Sequence, residues 1–203
     1  MAYSASSGFR FYRTLSGEAH TPDPLPFRIA NSTTLRVGDA VRINTSGLLV
    51  TAAAGEALAG VLVGFQDEDG INPFSLGYSR AGVTRTGDDT LATSSTNSTR
   101  ADYILGQVIV DPSGDLLWIN DADGDLAQTN IPQFFDNDAN GRQIASGGAS
   151  DANGQWQLIV WDPKGTSGEP NNPETADASQ GAFRINESQF NSGLDSATAK
   201  NAA

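Results

Sequence analysis

The sequence predicts an all-β protein, a small β-barrel or sandwich with an extended N-terminal arm and long loops. Three observations predict it. Apolar residues alternate with period two in at least five runs, which places them on one face of an extended chain. Nowhere do they recur at the 3.6-residue spacing of an amphipathic helix. Glycine (22 residues) and proline (9 residues) punctuate the 203-residue chain, as turns between short strands require.

Residues 1–28 read as an extended N-terminal arm. Pro22, Pro24 and Pro26 recur at every second position, which forbids helix and favours an extended chain without sheet pairing. Phe9, Phe11 and Tyr12 sit among small polar residues there, so their rings are expected to bury against the body or another subunit, and residues 1–28 to pack mostly against another chain. The expected partner-binding residues are Phe9, Arg10, Phe11, Tyr12 and Arg13. Residues 29–187 form the β body, and residues 188–203 a C-terminal tail with little apolar content.

The body opens on LRVGDAVRINTSGLLVTAAAGEALAGVLVGF, Leu35 to Phe65. Leu35, Val37, Val41 and Ile43 share one parity, Thr45-Ser46-Gly47 is turn chemistry, and Leu48 to Thr51 is a short return strand. After a small-residue loop, Ala59, Val61, Val63 and Phe65 alternate again, with Gly60 and Gly64 between them. This predicts a three-stranded meander, one face of which another backbone or a ring approaches closely.

Gln66 to Pro73 is an acidic turn, Phe74 to Arg85 is ambiguous, and Thr86 to Arg100 reads as a loop or hairpin tip. Tyr103 to Asn120 reads as a hairpin, YILGQVIV returning as DLLWIN through Asp111-Pro112-Ser113-Gly114, a sequence suited to a type I turn. A short strand is expected at Phe134-Phe135. A central strand follows at Gln155 to Asp162, with Trp156, Leu158 and Val160 on one face and Ile159 and Trp161 on the other. Pro163 to Gly181 reads as an exposed loop and Ala182 to Asn186 as the last strand. The predicted core is Val41, Ile43, Val61, Val63, Leu105, Val108, Leu117, Trp118, Leu158 and Val160.

Composition narrows the function classes. Cysteine is absent, which removes disulfides, thiolate zinc sites and cysteine nucleophiles. No apolar run reaches the ~18 residues of a membrane span. The start, MAYSASSGFRFYR, lacks the apolar segment of a secretory signal. Synthesis in a cytoplasm is therefore expected, the protein staying there or leaving inside a particle. The net charge is −12, a surface that repels nucleic acid and anionic lipid, so neither is expected as a partner. The charge is uneven: Arg10, Arg13, Arg28, Arg36 and Arg42 against Glu18, Asp23 and Asp39 give residues 1–42 a net +2 and leave −14 for the remainder.

The chain offers little for catalysis, and no enzymatic activity or cofactor is expected. Its one histidine, His20, lies in the proline-rich arm, where a triad histidine would lack support on both ring nitrogens. No phosphate loop or dinucleotide fingerprint occurs. A glycosidase would need two carboxylates in an aromatic-lined cleft, yet Trp118, Trp156 and Trp161 lie in strands that read as core. Asp136, Asp138 and Asn140, followed by Gly141, match the opening of an EF-hand loop, but Gly147 stands where its closing acid belongs. Asp121, Asp123 and Asp125 form a second acidic loop. Both compositions are also ordinary turns, so no metal is assigned.

The pattern GDAV-x-I-x-x-x-G-x-L-x-x-A, followed by LAGVLVGF, rests on Gly38, Asp39, Val41, Gly47, Ala59, Gly60, Val61 and Gly64. It resembles the small β-barrel proteins that decorate tailed-bacteriophage capsids, the head decoration or cement proteins. The run from Tyr103 to Ile119, GRQIASG (Gly141 to Gly147), QWQLIVW and FRINESQF are similar in order and spacing to structural proteins of marine phages. The resemblance implies a structural virion protein on the outer capsid surface. It would bind the major capsid protein and copies of itself, as a homotrimer ahead of a dimer, and stabilise the shell. The alternative is a tail or fibre component that binds a host glycan.

Overall fold

The structure is a computed structural model that describes residues 8–17, 22–67, 84–87, 104–124, 126–138, 141–146, 154–161 and 180–190. Its strands are β1 (Arg10–Thr14), β2 (Leu25–Arg28), β3 (Thr34–Arg36), β4 (Ala40–Ile43), β5 (Leu49–Thr51), β6 (Gly60–Asp67), β7 (Thr84–Thr86), β8 (Ile104–Val110), β9 (Leu116–Asp121), β10 (Phe134–Phe135), β11 (Trp156–Trp161) and β12 (Gln180–Ile185). They form two five-stranded antiparallel sheets, ordered β1-β9-β12-β11-β10 and β2-β8-β6-β4-β5, with β3 and β7 paired separately. The all-β expectation holds, and of its two forms the sandwich is the one built.

The second sheet is apolar on both faces. Ala40, Val61, Val63 and Ile109 pack with Trp118, Trp156, Leu158 and Phe183 of the first sheet to fill the sandwich. Val41, Leu49, Leu62, Phe65 and Val108 join Ile29, Leu35 and Val37 in a second cluster. The sheet curls around that second cluster. Ile29, just past β2, makes a bridge to Leu49 on the opposite edge strand, and the Ala30 N–H donates to the Leu49 carbonyl at 3.0 Å. The curl stops short of a closed barrel.

A polar pin ties the layers together. Gln155 is fully buried; its amide donates to the Ala53 and Glu56 carbonyls and its side-chain oxygen accepts from the Asn137 N–H. Asn137 in turn accepts the Trp156 indole N–H at 2.7 Å and donates to the Ala52 carbonyl. With every one of these partners supplied, the buried amides cost little.

Several sequence expectations are corrected. Residues 103–120 do not make a hairpin: β8 pairs with β2 and β6, while β9 pairs with β1 and β12. Both strands are apolar on both faces, as expected of central strands, but each is central to a different sheet. Asp111–Asp115 is thus an arch, closed by the Asp111 carboxylate accepting the N–H groups of Asp115 and Leu116 at 3.1 and 3.0 Å. The meander is also re-ordered. β4 stands between β5 and β6, and Val37-Gly38 breaks its first strand into β3 and β4.

Two bulges change which residues share a face. One between Leu62 and Gly64 in β6 sends Phe65 to the cluster opposite Val61 and Val63. Another between Leu158 and Val160 in β11 brings Trp161 onto the Leu158 side, where it packs on the main core. An extra residue reverses the alternation beyond it. Of the predicted core, Val41, Val61, Val63, Val108, Leu117, Trp118 and Leu158 are buried, whereas Ile43, Leu105 and Val160 are half-buried. The strands expected at 134–135 and 182–186 are present as β10 and β12. The close approach expected at Gly60 is real: a Cβ there would meet the Ile109 carbonyl oxygen.

Candidate interaction surface

The stretch taken as an arm is woven into both sheets, which corrects the expectation of a chain without sheet pairing. β1 lies along β9 from Arg10↔Ile119 to Thr14↔Leu116, and β2 along β8 from Leu25↔Val108 to Arg28↔Leu105. Alternate prolines mark an edge strand, because a proline there leaves no ladder bond unmade. The end of β1 lies beside the β8–β9 arch. Leu15 N–H donates to the Asp115 carbonyl at 2.8 Å, and Ser16 donates from its N–H and hydroxyl to the Asp115 carboxylate at 3.2 and 3.0 Å.

The five expected partner-binding residues separate. Phe9 is only 2% exposed; its ring stacks on Trp156 and its N–H donates to the Gly38 carbonyl at 2.8 Å. It is a core residue of its own chain and cannot anchor a partner. Phe11 is half-buried, edge-on to Trp118, and Arg10 is half-buried beside it. Tyr12 and Arg13 remain at the surface, with the Arg13 guanidinium 5.3 Å from the centre of the Tyr12 ring, a cation–π distance.

Sequence reasoning did not single out the other exposed residues of these two edge strands. Leu15 and Leu25 are 44% and 47% exposed, and with Tyr12 they are three of the five exposed large hydrophobics among the described residues. Arg28 is exposed as well. The signal for Leu25 was available: it precedes Phe27 and Ile29 at period two, but on an edge strand only the residues nearest the fold are covered. The edge strands β1 and β2, one on each sheet, and the residue that follows β1 thus carry exposed apolar and cationic groups. Pro26 and the bulge between Phe11 and Arg13 interrupt the ladder groups that an incoming strand would need.

The C-terminal boundary also shifts, because the body continues to Phe190. Gln189 accepts the Ile43 N–H at 2.7 Å and donates to its carbonyl at 2.9 Å. Phe190 lies against Phe27 of β2. Of the tail expected from residue 188 onward, residues 191–203 lie outside the described residues.

The calcium-like loops are tied into the fold. Asp138 accepts the backbone N–H groups of Arg142 and Gln143 at 2.8 and 3.2 Å, and Asp136 accepts that of Gln155. Asp123 accepts from the N–H and hydroxyl of Ser146, and Asp121 from the Gln180 amide. Asn140, Asp125 and His20 lie outside the described residues, as do the loops at 68–83, 88–103 and 162–179. Among the described residues no three acidic or histidine side chains group as a metal site.

Asp39, in the motif that carries the resemblance, is buried beneath the surface loops. Its carboxylate accepts from the Arg36 N–H at 2.8 Å and from Arg142 Nε at 2.9 Å. Burial nevertheless pushes its pKa up to about 6, outweighing the backbone bond and the guanidinium. Gly38, Gly60 and Asp39 are buried and serve the backbone of this fold, and Gly47 sits in an exposed turn with φ +77°. No protein-family model, no curated protein and no solved structure matches the chain.

Proposed function

We propose that this chain is a structural virion protein that binds the outer capsid surface of a tailed phage and stabilises the shell, as a decoration or cement protein. The observation that carries the reading is the pair of edge strands β1 and β2, where Tyr12, Leu15, Leu25, Arg13 and Arg28 are exposed on a chain of net charge −12. Aromatic and arginine side chains dominate the energetics of protein interfaces, and an apolar edge on an acidic body suits a neighbour in an assembly. The resemblance of Leu35–Phe65 to decoration proteins points to the same class.

In this role the protein has no turnover to perform. Each copy adds contact area across capsomer boundaries and raises the barrier to shell rupture. The major capsid protein and further copies of the chain are its partners, and the acidic remainder faces solvent. The glycan-binding alternative has weaker support, because Trp118 and Trp156 are buried and Trp161 is held by a bond to the Leu126 carbonyl. The test is co-sedimentation of the purified chain with shells that lack it. Saturable binding in many copies is expected; binding confined to tails would reject the role.

A further inference from the structure

The face of the first sheet that turns away from the sandwich collects three arginines. Cross-strand partners share a face, so the register assigns each residue. Phe11↔Trp118, Phe183↔Trp118 and Leu158↔Phe183 lie on the core side. Arg10↔Ile119, Arg13↔Leu117, Ala182↔Ile119 and Gln157↔Arg184 therefore lie on the outer side. Leu117, Ile119 and Ala182 accordingly belong to neither core cluster. We propose that this outer face is a docking site for an acidic, extended protein segment, with Arg10, Arg13 and Arg184 taking its carboxylates. The inference goes beyond the capsid reading, since it names the chemistry that this face takes in any assembly.

These arginines lack the carboxylates that others hold. Arg42 pairs with Glu56 at 2.7 Å and Arg142 with Asp39 at 2.9 Å. Among the described residues no carboxylate pairs with Arg10, Arg13 or Arg184. Arg13 lies over the Tyr12 ring, and Arg10 Nε is buried with no hydrogen-bond partner. A buried donor left unmade is costly, and a ligand carboxylate would remove that cost. Arg184 Nε donates to Gln157 Oε1 at 2.7 Å, and the Gln157 amide donates to the Pro132 carbonyl at 3.1 Å. Arg184 is thus held in place before a ligand arrives, which lowers the cost of binding. Asp121, the carboxylate that the register sets on this face opposite Gln180, accepts the Gln180 amide at 2.8 Å.

Spacing selects the ligand. Neighbouring strands lie about 4.8 Å apart, so Arg13 on β1 and Arg184 on β12, with β9 between them, leave the backbone about 10 Å apart. One phosphate or sulfate group is too small to engage both ends of that spread. Carboxylates at alternate positions of an extended peptide lie about 7 Å apart and suit guanidinium groups reaching in from the two sides. Phe134 and Val160 share the outer face and are half-buried. They offer apolar contact to a peptide side chain that a sulfated or phosphorylated polymer would not use. A chain of net charge −12 also repels a dense polyanion more than a segment bearing a few carboxylates.

The experiment is a titration of the full chain, labelled with 15N at arginine and followed through its guanidinium Nε–Hε resonances. The probe is a short peptide of alternating glutamate and valine. Its glutamine–valine counterpart and a heparin fragment serve as comparisons. The signals of Arg10, Arg13 and Arg184 are expected to move with the glutamate peptide, while those of the ion-paired Arg42 and Arg142 stay. Fluorescence anisotropy of the labelled peptide reads affinity at low salt. Arg13→Gln/Arg184→Gln should weaken binding about tenfold, whereas Arg28→Gln, on the other sheet, should barely change it. Circular dichroism checks that the variants keep the wild-type fold, and the resonance shifts test the face without any substitution. Silence of the three signals toward the glutamate peptide overturns the inference. So does an equal response to the glutamine peptide, a stronger response to heparin, or a double variant that binds as wild type does. Shell binding is measured separately. A chain that coats shells but ignores the peptide keeps its proposed function and loses this site; one that takes the peptide but ignores shells keeps the site and loses the function.

Discussion

Phe9 stacks on Trp156 with ring centroids 4.1 Å apart and planes 13° from parallel. The contact joins the N-terminal segment to β11 of the first sheet, and it lies within the buried cluster between the two sheets. It converts a stretch that reads as a free arm into part of the fold.

Phe9→Ala should therefore destabilise the isolated chain by about 3–5 kcal/mol, the cost of truncating a buried aromatic ring. Tyr12→Ser should leave stability almost unchanged, as expected of an exposed site. Denaturant unfolding of the two variants checks the contrast. Equal and small effects would mean that Phe9 is not a core residue.

Leu158→Ala should cost about 2–5 kcal/mol, since the side chain is fully buried. Val160→Ala should cost distinctly less, because the bulge between these residues leaves Val160 half-buried. The same unfolding assay ranks them, and a reversed order would move the bulge elsewhere.

Gln155→Leu should be among the more damaging substitutions. It strands the Ala53 and Glu56 carbonyls and the Asn137 N–H, and each abandoned buried group costs about 1–3 kcal/mol. Hydrogen exchange at Asn137 reads the loss directly: its amide should become unprotected in the variant.

Asp39 gives a pH dependence of defined sign. Its pKa rises from 3.8 to about 6 in the fold, so the folded state holds this proton more tightly than the unfolded chain. Its contribution is fully present below the unfolded value and is lost as pH rises through the folded one. Two pH units correspond to roughly 3 kcal/mol. Asp39→Asn keeps an acceptor for the Arg36 N–H and removes the titration. The difference in unfolding free energy between wild type and variant should therefore shift in the variant's favour between about pH 4 and pH 7. A difference independent of pH would place the charge elsewhere.

The fold class, the central strands and most of the core were legible because alternation reports burial directly. Val61, Val63, Val108 and Leu158 were found in this way. The bulges at Leu62/Gly64 and Leu158/Val160 were not legible, since one extra residue leaves no compositional mark yet reverses every later face. The arch was read as a hairpin because Asp-Pro-Ser-Gly reverses a chain within a sheet and between sheets alike. Only the pairing of β8 with β6 and of β9 with β12 separates the two. The arm was misread because proline alternation excludes helix and central strands but leaves edge strands open. Of the candidate surface, Tyr12 and Arg13 were named from the sequence as partner-binding residues, whereas Leu15, Leu25 and Arg28 needed the edge strands to be located first.

The central claim is tested most directly by heating shells, with and without the bound protein, at low ionic strength and counting those that keep their genome. The account predicts that saturated shells survive conditions that rupture bare ones, with the protein in many copies on the outer surface. Equal survival, or protein found only at the tail, would contradict it.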